Sequence, residues 1–89
     1  MKTYRIEIKG TASKAIEALP SITRRRVWEV IEELADDPRP PGCRKISGAE
    51  ADRYRVRIGK YRVVYRVFDD RLLVLVVRVG HRRDVYRNL

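Results

Sequence analysis

Alternating arginines in the last third of the chain are the residues best suited to do chemistry. Arginines occupy every second position of 53–58 and positions 62 and 66 of the following stretch, with mainly aliphatic or aromatic residues between them. Guanidinium groups stay protonated and match phosphate oxygens with paired hydrogen bonds. No acidic residue lies within 53–66 to neutralise them. The pattern favours a site for a phosphate-rich ligand; the alternative is a solvated face that keeps the protein soluble.

A second cluster of candidate groups lies in the terminal segment, 80–87, where a tyrosine and a histidine stand among cations. Cations stabilise a phenolate, so Tyr86 is a candidate general base. Its alternative role is that of a C-terminal hydrophobic plug. His81 is the single histidine, and a lone histidine is more often structural or exposed than catalytic.

Four segments carry the side-chain pattern of β-strands and would hold these groups. Their ranges are 4–8, 53–58, 61–68 and 72–79. The first three alternate in period two. The fourth is apolar on both faces apart from Arg78, as expected for a strand with neighbours on both sides. Gly80 is predicted to end it.

Two helices are predicted between the first and second of these strands. Apolar residues recur at helical spacing on either side of Pro20, and Asp37-Pro38 ends the second helix because proline disfavours helical geometry in the residue before it. Residues 38–52 are rich in proline and glycine and are predicted as a loop. The order predicts one α+β domain, 1–89. An N-terminal strand and a helical hairpin precede a three-stranded meander that completes an antiparallel sheet with one open face.

The turn at Gly59-Lys60 makes the hairpin geometry specific. A two-residue loop with glycine first pairs Ile58 with Tyr61, and side-chain alternation then places five arginines on the open face. We call this surface the arginine face, and its residues are Arg53, Arg55, Arg57, Arg62 and Arg66. Like charges directly opposite each other cost about a few tenths of a kcal/mol per pair, which a phosphate-rich ligand would relieve.

Composition narrows the function classes. The 89 residues fit one domain, and 21 lysines and arginines against 12 aspartates and glutamates give a net charge of +9. Residues 53–89 hold 11 of these basic and 3 of the acidic side chains, which points to a polyanionic or acidic partner. One cysteine excludes an intrachain disulfide and a cysteine-based zinc site. No apolar run could span a membrane, and a reducing, cytoplasmic location is expected.

Three stretches of the sequence are similar to a known family. They are YRVRIGKYRVVYRVFDD at 54–70, VLVVRVGHRRDVYR at 74–87, and RKISG at 44–48 in the preceding loop. With the order of predicted elements, they resemble the RelE-type toxins of bacterial and archaeal toxin–antitoxin systems, within the wider RelE/ParE superfamily. The resemblance covers nearly the whole chain and implies a RelE-like fold.

The resemblance implies a ribosome-dependent endoribonuclease that cuts mRNA codons in the ribosomal A site. The RNA's own 2′-hydroxyl is the attacking group, so no metal or cofactor is needed. The implied partners are a 70S-type ribosome, mRNA and a cognate acidic antitoxin. Two alternatives remain: a ParE-like inhibitor of DNA gyrase without nuclease activity, and a catalytically degenerate RNA-binding member.

Family roles fall on individual residues of this chain. Tyr86 matches the general-base tyrosine, Arg82 the basic residue that serves the leaving group, and Arg62 the arginine that clamps the phosphate. Arg55 and Arg57 fall on a pair of lysines of the family. Because arginine holds its proton too tightly to act as a base, the role of these two is electrostatic.

Further RNA contacts are expected from both clusters and from the basic loop. These residues are Lys45, Arg53, Arg66, His81 and Arg83. Whether Tyr86 or His81 supplies the base stays open. The helical hairpin, with its basic run 24–26, is a candidate antitoxin docking surface, and Trp28 is expected in the core or in that contact.

Overall fold

Two helices pack on one face of a five-stranded sheet. The computed structural model describes residues 3–46 and 53–83. In chain order the elements are β1 (Arg5–Ile8), α1 (Gly10–Glu17), α2 (Ser21–Asp36), β2 (Arg44–Lys45), β3 (Arg53–Ile58), β4 (Tyr61–Phe68) and β5 (Leu73–His81). The predicted α+β class, the pair of helices and the β3-β4-β5 meander are confirmed.

The sheet is mixed, with the strand order β1-β5-β4-β3-β2. β1 runs parallel to β5, with Ile6 paired with Val74, whereas the other three pairings are antiparallel. The prediction of an antiparallel sheet is therefore wrong at this edge. β1 joins the last strand of the meander and not the first, and residues 9–72 form the long connection that a parallel pair requires.

Two element boundaries also differ from the prediction. The predicted loop 38–52 contains β2, which pairs with the outer edge of β3. Gly80 does not end β5, because β4 still offers backbone partners there and Gly80 pairs with Arg62. Glycine and proline mark turns well only where no neighbouring strand offers hydrogen bonds to the backbone.

Apolar side chains from both helices and one sheet face form the core. The helices contribute buried residues at helical spacing: Ala12, Ile16, Val27, Ile31 and Leu34. The strands contribute Val56, Ile58, Val63, Tyr65, Val67, Val74, Val76 and Val79. Burying these side chains is the main stabilising contribution and leaves the other sheet face for the arginines.

A β-bulge in β5 reverses the alternation of its side chains. Tyr65 pairs with Val76 and the preceding Val64 pairs with Arg78, which leaves Val77 as the extra residue. If Val77 took a regular ladder position and no bulge formed, strict alternation would send Arg78 into the core. The bulge therefore keeps the core apolar and adds a cation to the open face.

Polar contacts fasten the segment after α2 to the sheet. Tyr65 is fully buried, and its hydroxyl donates a hydrogen bond of 2.7 Å to the carbonyl oxygen of Pro38. Burial raises the pKa of this phenol well above its usual range. Arg39 donates to both carboxylate oxygens of Asp69, at 3.2 and 2.8 Å, and to the hydroxyl of Tyr54 at 2.9 Å. These bonds position the segment that leads into β2.

Replacing Tyr65 with phenylalanine is expected to lower the free energy of unfolding by about 1–3 kcal/mol, because the buried carbonyl of Pro38 loses its donor. Urea denaturation measures the loss. Tyr4→Phe is the matched control, since it removes a bond of 2.6 Å to the exposed Asp69, and water replaces that donor. Equal losses in the two variants would contradict the importance of burial.

Candidate nucleic-acid interface

The β3–β4 hairpin holds the arginine face in the predicted register. Gly59, the first residue of the turn, has a φ of +59°, a left-handed conformation that favours glycine. From this turn the ladder sets Arg57 opposite Arg62 and Arg53 opposite Arg66. Two pairs of like charges thus stand directly opposite each other, an arrangement that destabilises the hairpin unless an anion lies between them.

Two further arginines lie on this side of the sheet. Arg44 of β2 pairs with Arg55, and Arg78 of β5 pairs with Val64. The sequence carried no clear signal for either placement. β2 lies in a segment predicted as a loop, and the bulge that turns Arg78 outward is hidden in an almost uniformly apolar strand.

Val64 shows how the arginine side chains are arranged. Its neighbours on this face are Arg55 and Arg78 across the ladders and Arg62 and Arg66 along β4. Both helices pack on the opposite face, yet Val64 is completely inaccessible to water. Aliphatic stems of arginine can cover an apolar side chain while their charged ends stay in water. The four arginines therefore surround Val64 with their stems and present a concentrated positive surface.

Arg62 is the one buried charged side chain in the described ranges, with 9% of its surface exposed. It stands between Arg57 on β3 and Gly80 on β5. A glycine within a strand leaves room for a ligand to approach closely. Arg62 is therefore a buried cation beside a residue without a side chain, at the end of the sheet near the hairpin turn, which we call the turn end.

The described start of the terminal segment, 80–83, is attached at this same turn end. The backbone N–H of Arg82 donates to the carbonyl oxygen of Lys60 at 2.8 Å. His81 pairs with Tyr61, and the two rings meet edge-on with centroids 5.9 Å apart. The backbone N–H of Arg83 donates to Nδ1 of His81 at 3.2 Å. Two exposed arginines thus begin beside the turn, within the same region as the arginine face.

Register divides the residues that the sequence proposed for the site. The arginine face brings together Arg53, Arg55, Arg57, Arg62 and Arg66. Lys45 pairs with Tyr54 and His81 with Tyr61, so both occupy ladder positions of the opposite face. Tyr86 lies outside the described residues, and its role stays a prediction. Within 3–46 and 53–83, no group of His, Cys, Asp and Glu could hold a metal ion.

Helix α2 presents a second charged surface. Ile22 is 77% exposed and Trp28 37% exposed, although both are large and apolar. They line a surface depression together with the basic run 24–26, and we call these residues the α2 patch. No acidic residue lies in the first turn of α2 and no basic residue in its last, so its charges do not complement the helix dipole. Trp28 is thus at the surface and not in the core.

No helix of the described chain is long and apolar enough to cross a membrane.

Known proteins are similar to this chain in sequence and in fold. The family model described as "ParE toxin of type II toxin-antitoxin system, parDE" matches residues 6–86. The chain belongs to the RelE/ParE superfamily of type II toxins. Toxin RelG of Mycobacterium tuberculosis is 31% identical over 85 residues, which cover 94% of this chain and 97% of the relative. The mRNA interferase toxin RelE of Escherichia coli K12 is 27% identical over 85 residues, covering 93% and 90%.

Solved structures extend the similarity to three dimensions. The crystal structure of the archaeal RelE–RelB complex from Pyrococcus horikoshii OT3 contains a chain with 31% identity and a TM-score of 0.81, and the match covers 93% of this chain and 99% of that one. The family resemblance of the sequence is confirmed over nearly its full length.

Arg57→Thr is expected to raise the free energy of unfolding by about 0.3–0.5 kcal/mol at low salt, because it removes the like charge opposite Arg62. Added salt should shrink the gain by screening. Denaturation at two salt concentrations measures both. Arg5→Thr is the control: Arg5 is also an exposed strand arginine, but it lies 2.9 Å from the carboxylate of Glu7. A loss of stability in Arg57→Thr at low salt would contradict the repulsion.

Proposed function

We propose that the protein is a ribosome-dependent endoribonuclease that cuts mRNA codons in the A site. The observation that carries this proposal is the buried Arg62, which stands between Arg57 and the strand glycine Gly80 at the turn end. This arrangement fits one phosphodiester, held by guanidinium groups beside a residue without a side chain. The relative named as an mRNA interferase supports the same activity.

The reaction uses the RNA's own 2′-hydroxyl as nucleophile. A base takes its proton, the O2′–P bond forms, and the P–O5′ bond breaks to leave a 2′,3′-cyclic phosphate and a 5′-hydroxyl. Negative charge grows on the phosphoryl oxygens, and guanidinium groups fixed in advance stabilise it. We assign this role to Arg62, with Arg55 and Arg57 beside it.

The proton transfers fall to the terminal segment in this proposal. Tyr86 acts as the base toward the 2′-hydroxyl, and Arg82 stabilises the charge on the leaving 5′-oxygen, which takes up a proton from water to give the 5′-hydroxyl. The hydrogen bond from Arg82 to the hairpin turn supports this assignment, because it brings the segment to the same end of the sheet as Arg62. His81 is the alternative base.

The name of the matching family favours a second candidate, inhibition of DNA gyrase without nuclease activity. An inhibitor that acts through protein contacts does not require a buried arginine beside a strand glycine. It also does not require like-charged arginine pairs facing one another across a hairpin. Both features favour the nuclease.

Mapping mRNA 5′ ends in a translation extract tests the nuclease. Cuts are expected within A-site codons. Arg62→Ala should lower the cleavage rate about 10²–10³-fold, since it removes a fixed donor to the developing charge. Tyr86→Phe should lower it about 10²–10⁴-fold by removing the base. Lys14→Ala, on the exposed surface of α1, serves as the control and should cut like the wild type.

A message with one 2′-deoxynucleotide at the cut site should remain whole, because the attacking group is missing. Cleavage of that message would contradict the mechanism. Intact mRNA together with double-strand DNA breaks in cells would favour the gyrase inhibitor. Intact mRNA with RNA binding retained would identify a degenerate member.

We further propose a cognate acidic antitoxin as the partner. The structural relative from Pyrococcus was solved as a toxin–antitoxin complex. The α2 patch offers exposed apolar side chains among arginines, which suits an acidic amphipathic segment. An antitoxin that also covered the arginine face would shield the cations needed for cleavage.

Co-expression with the neighbouring reading frame tests the partner. Ile22→Glu or Trp28→Ala is expected to weaken the complex about 30-fold or more, as truncating a central anchor does. Isothermal titration with the purified antitoxin measures the affinity. Glu32→Ala, on the acidic half of α2, is the matched control. Unchanged affinity in both patch variants would exclude docking at this surface.

A further inference from the structure

The end of the arginine face away from the turn carries an aromatic ring among guanidinium groups. We call it the far end, and its residues are Arg53, Arg66, Phe68 and Arg71. Phe68 lies two residues beyond Arg66 on β4, so both side chains project from the same face. The guanidinium carbons of Arg66 and Arg71 lie 4.7 and 4.5 Å from the centroid of the Phe68 ring. These distances are typical of cation–π pairs.

Arg53 adds an unmet donor at this end. It pairs with Arg66 across the ladder. Its Nε atom is buried and has no hydrogen-bond partner among the residues that the structure describes. A buried donor without an acceptor is costly, more so on a charged group, and an anionic oxygen would satisfy it.

Two acidic residues that the structure describes lie in the turn next to Arg71. Asp69 accepts hydrogen bonds from Arg39 and Tyr4. Asp70 lies 3.8 Å from Nε of Arg71, and the two side chains are 78% and 61% exposed. Such a long, exposed ion pair contributes little. The guanidinium of Arg71 is therefore available to a ligand while it lies over the Phe68 ring.

The far end is separate from the cleavage centre. Phe68 lies six residue steps along the extended strand from Arg62, a distance of about 20 Å. A side chain at one end cannot touch a phosphate at the other. The far end must act on a different part of the ligand, or on a different ligand.

We propose that the far end is a second subsite, for unpaired RNA. An unpaired base stacks on a guanidinium plane or an aromatic ring, and its phosphate accepts hydrogen bonds from arginine. The planar guanidinium of Arg71 over Phe68 supplies the stacking surface, and Nε of Arg53 supplies the phosphate donor. The choice of RNA as ligand rests on the proposed function. The RNA is either the message beyond the cut codon or an unpaired part of ribosomal RNA.

Fluorescence anisotropy with labelled 2′-O-methyl oligouridylates tests the subsite without cleavage, because these probes lack the attacking hydroxyl. A probe of about 4 nucleotides can contact only one end of the arginine face, whereas a probe of about 12 nucleotides can contact both ends. Arg71→Ala and Phe68→Leu are expected to weaken binding of the long probe about 5- to 30-fold and that of the short probe less. Arg71→Ala should also reduce the salt slope by about 1.

Two further variants keep the result interpretable. Arg71→Lys retains the positive charge but loses the planar guanidinium group. It should therefore keep the salt dependence of RNA binding and lose the affinity gained by stacking. Lys14→Ala controls for total charge and should bind like the wild type. Arg71 is exposed, so its variants are expected to fold; denaturation checks this.

Three outcomes would overturn the subsite. One is unchanged affinity for the long probe in Arg71→Ala and Phe68→Leu. Another is a loss equal for the two probe lengths or equal to that of Lys14→Ala. The third is unchanged RNA binding with weaker antitoxin binding, which would make the far end a protein contact.

Binding to ribosomes identifies the source of the RNA. If Arg71→Ala weakens binding to vacant and to programmed ribosomes alike, the subsite holds ribosomal RNA. If it weakens binding only to programmed ribosomes, the subsite holds the message. Because the probe assay needs no ribosome and no cleavage, the subsite and the nuclease activity can fail independently of each other.

Discussion

Side-chain alternation in the β3–β4 hairpin is the constraint on which both the core and the candidate site depend. The turn at Gly59-Lys60 fixes the register, and every second residue of the two strands then enters the core. The remaining positions carry five arginines together with Val64 and Phe68. A shift of one residue would exchange the two sets and drive five guanidinium groups into an apolar interior, at a prohibitive desolvation cost. Folding and function are therefore specified by the same few residues.

The arginine face is a surface that folding alone would not select. Facing pairs of like charge weaken the hairpin, and arginine stems around Val64 restrict side chains that water would otherwise leave free. Sites that bind strong anions commonly accept such strain, because the ligand later supplies the missing opposite charge. Helix α2 shows a related compromise, since its charges do not complement its own dipole. Both surfaces are better matched to partners than to the isolated chain.

Local patterns were sufficient to predict much of this structure. The helices and the hairpin register followed from apolar spacing, from Pro20 and from a glycine turn, all of which act over a few residues. The parallel partner of β1 could not be predicted, because it depends on residues that are more than 60 positions away in sequence. β2 was missed because it has two residues and forms only by pairing with β3.

In the candidate site, too, local patterns predicted the residues of the hairpin, whereas placements that depend on pairing with other strands were missed. Five arginines were grouped correctly because alternation is strict between the hairpin turn and Phe68. Lys45 and His81 were expected to contact RNA from the basic loop and the terminal segment, and ladder pairing with Tyr54 and Tyr61 assigns them to the face opposite the arginines. Arg78 was left out because a bulge within a run of valines and leucines leaves no trace in a hydrophobicity pattern.

The bulge at Val77 divides β5 into two halves that contact different parts of the protein. The half that precedes it pairs with β1 and packs under the helices, whereas the half that follows carries Arg78 and Gly80 beside Arg62. Because the two halves are out of phase, each can accept substitutions without disturbing the other. Loss of Val77 alone would remove the bulge and leave both halves on their present faces, because Arg78 would then follow Val76 directly. In evolution, the loss of this one residue is therefore expected to leave the core and the open face intact.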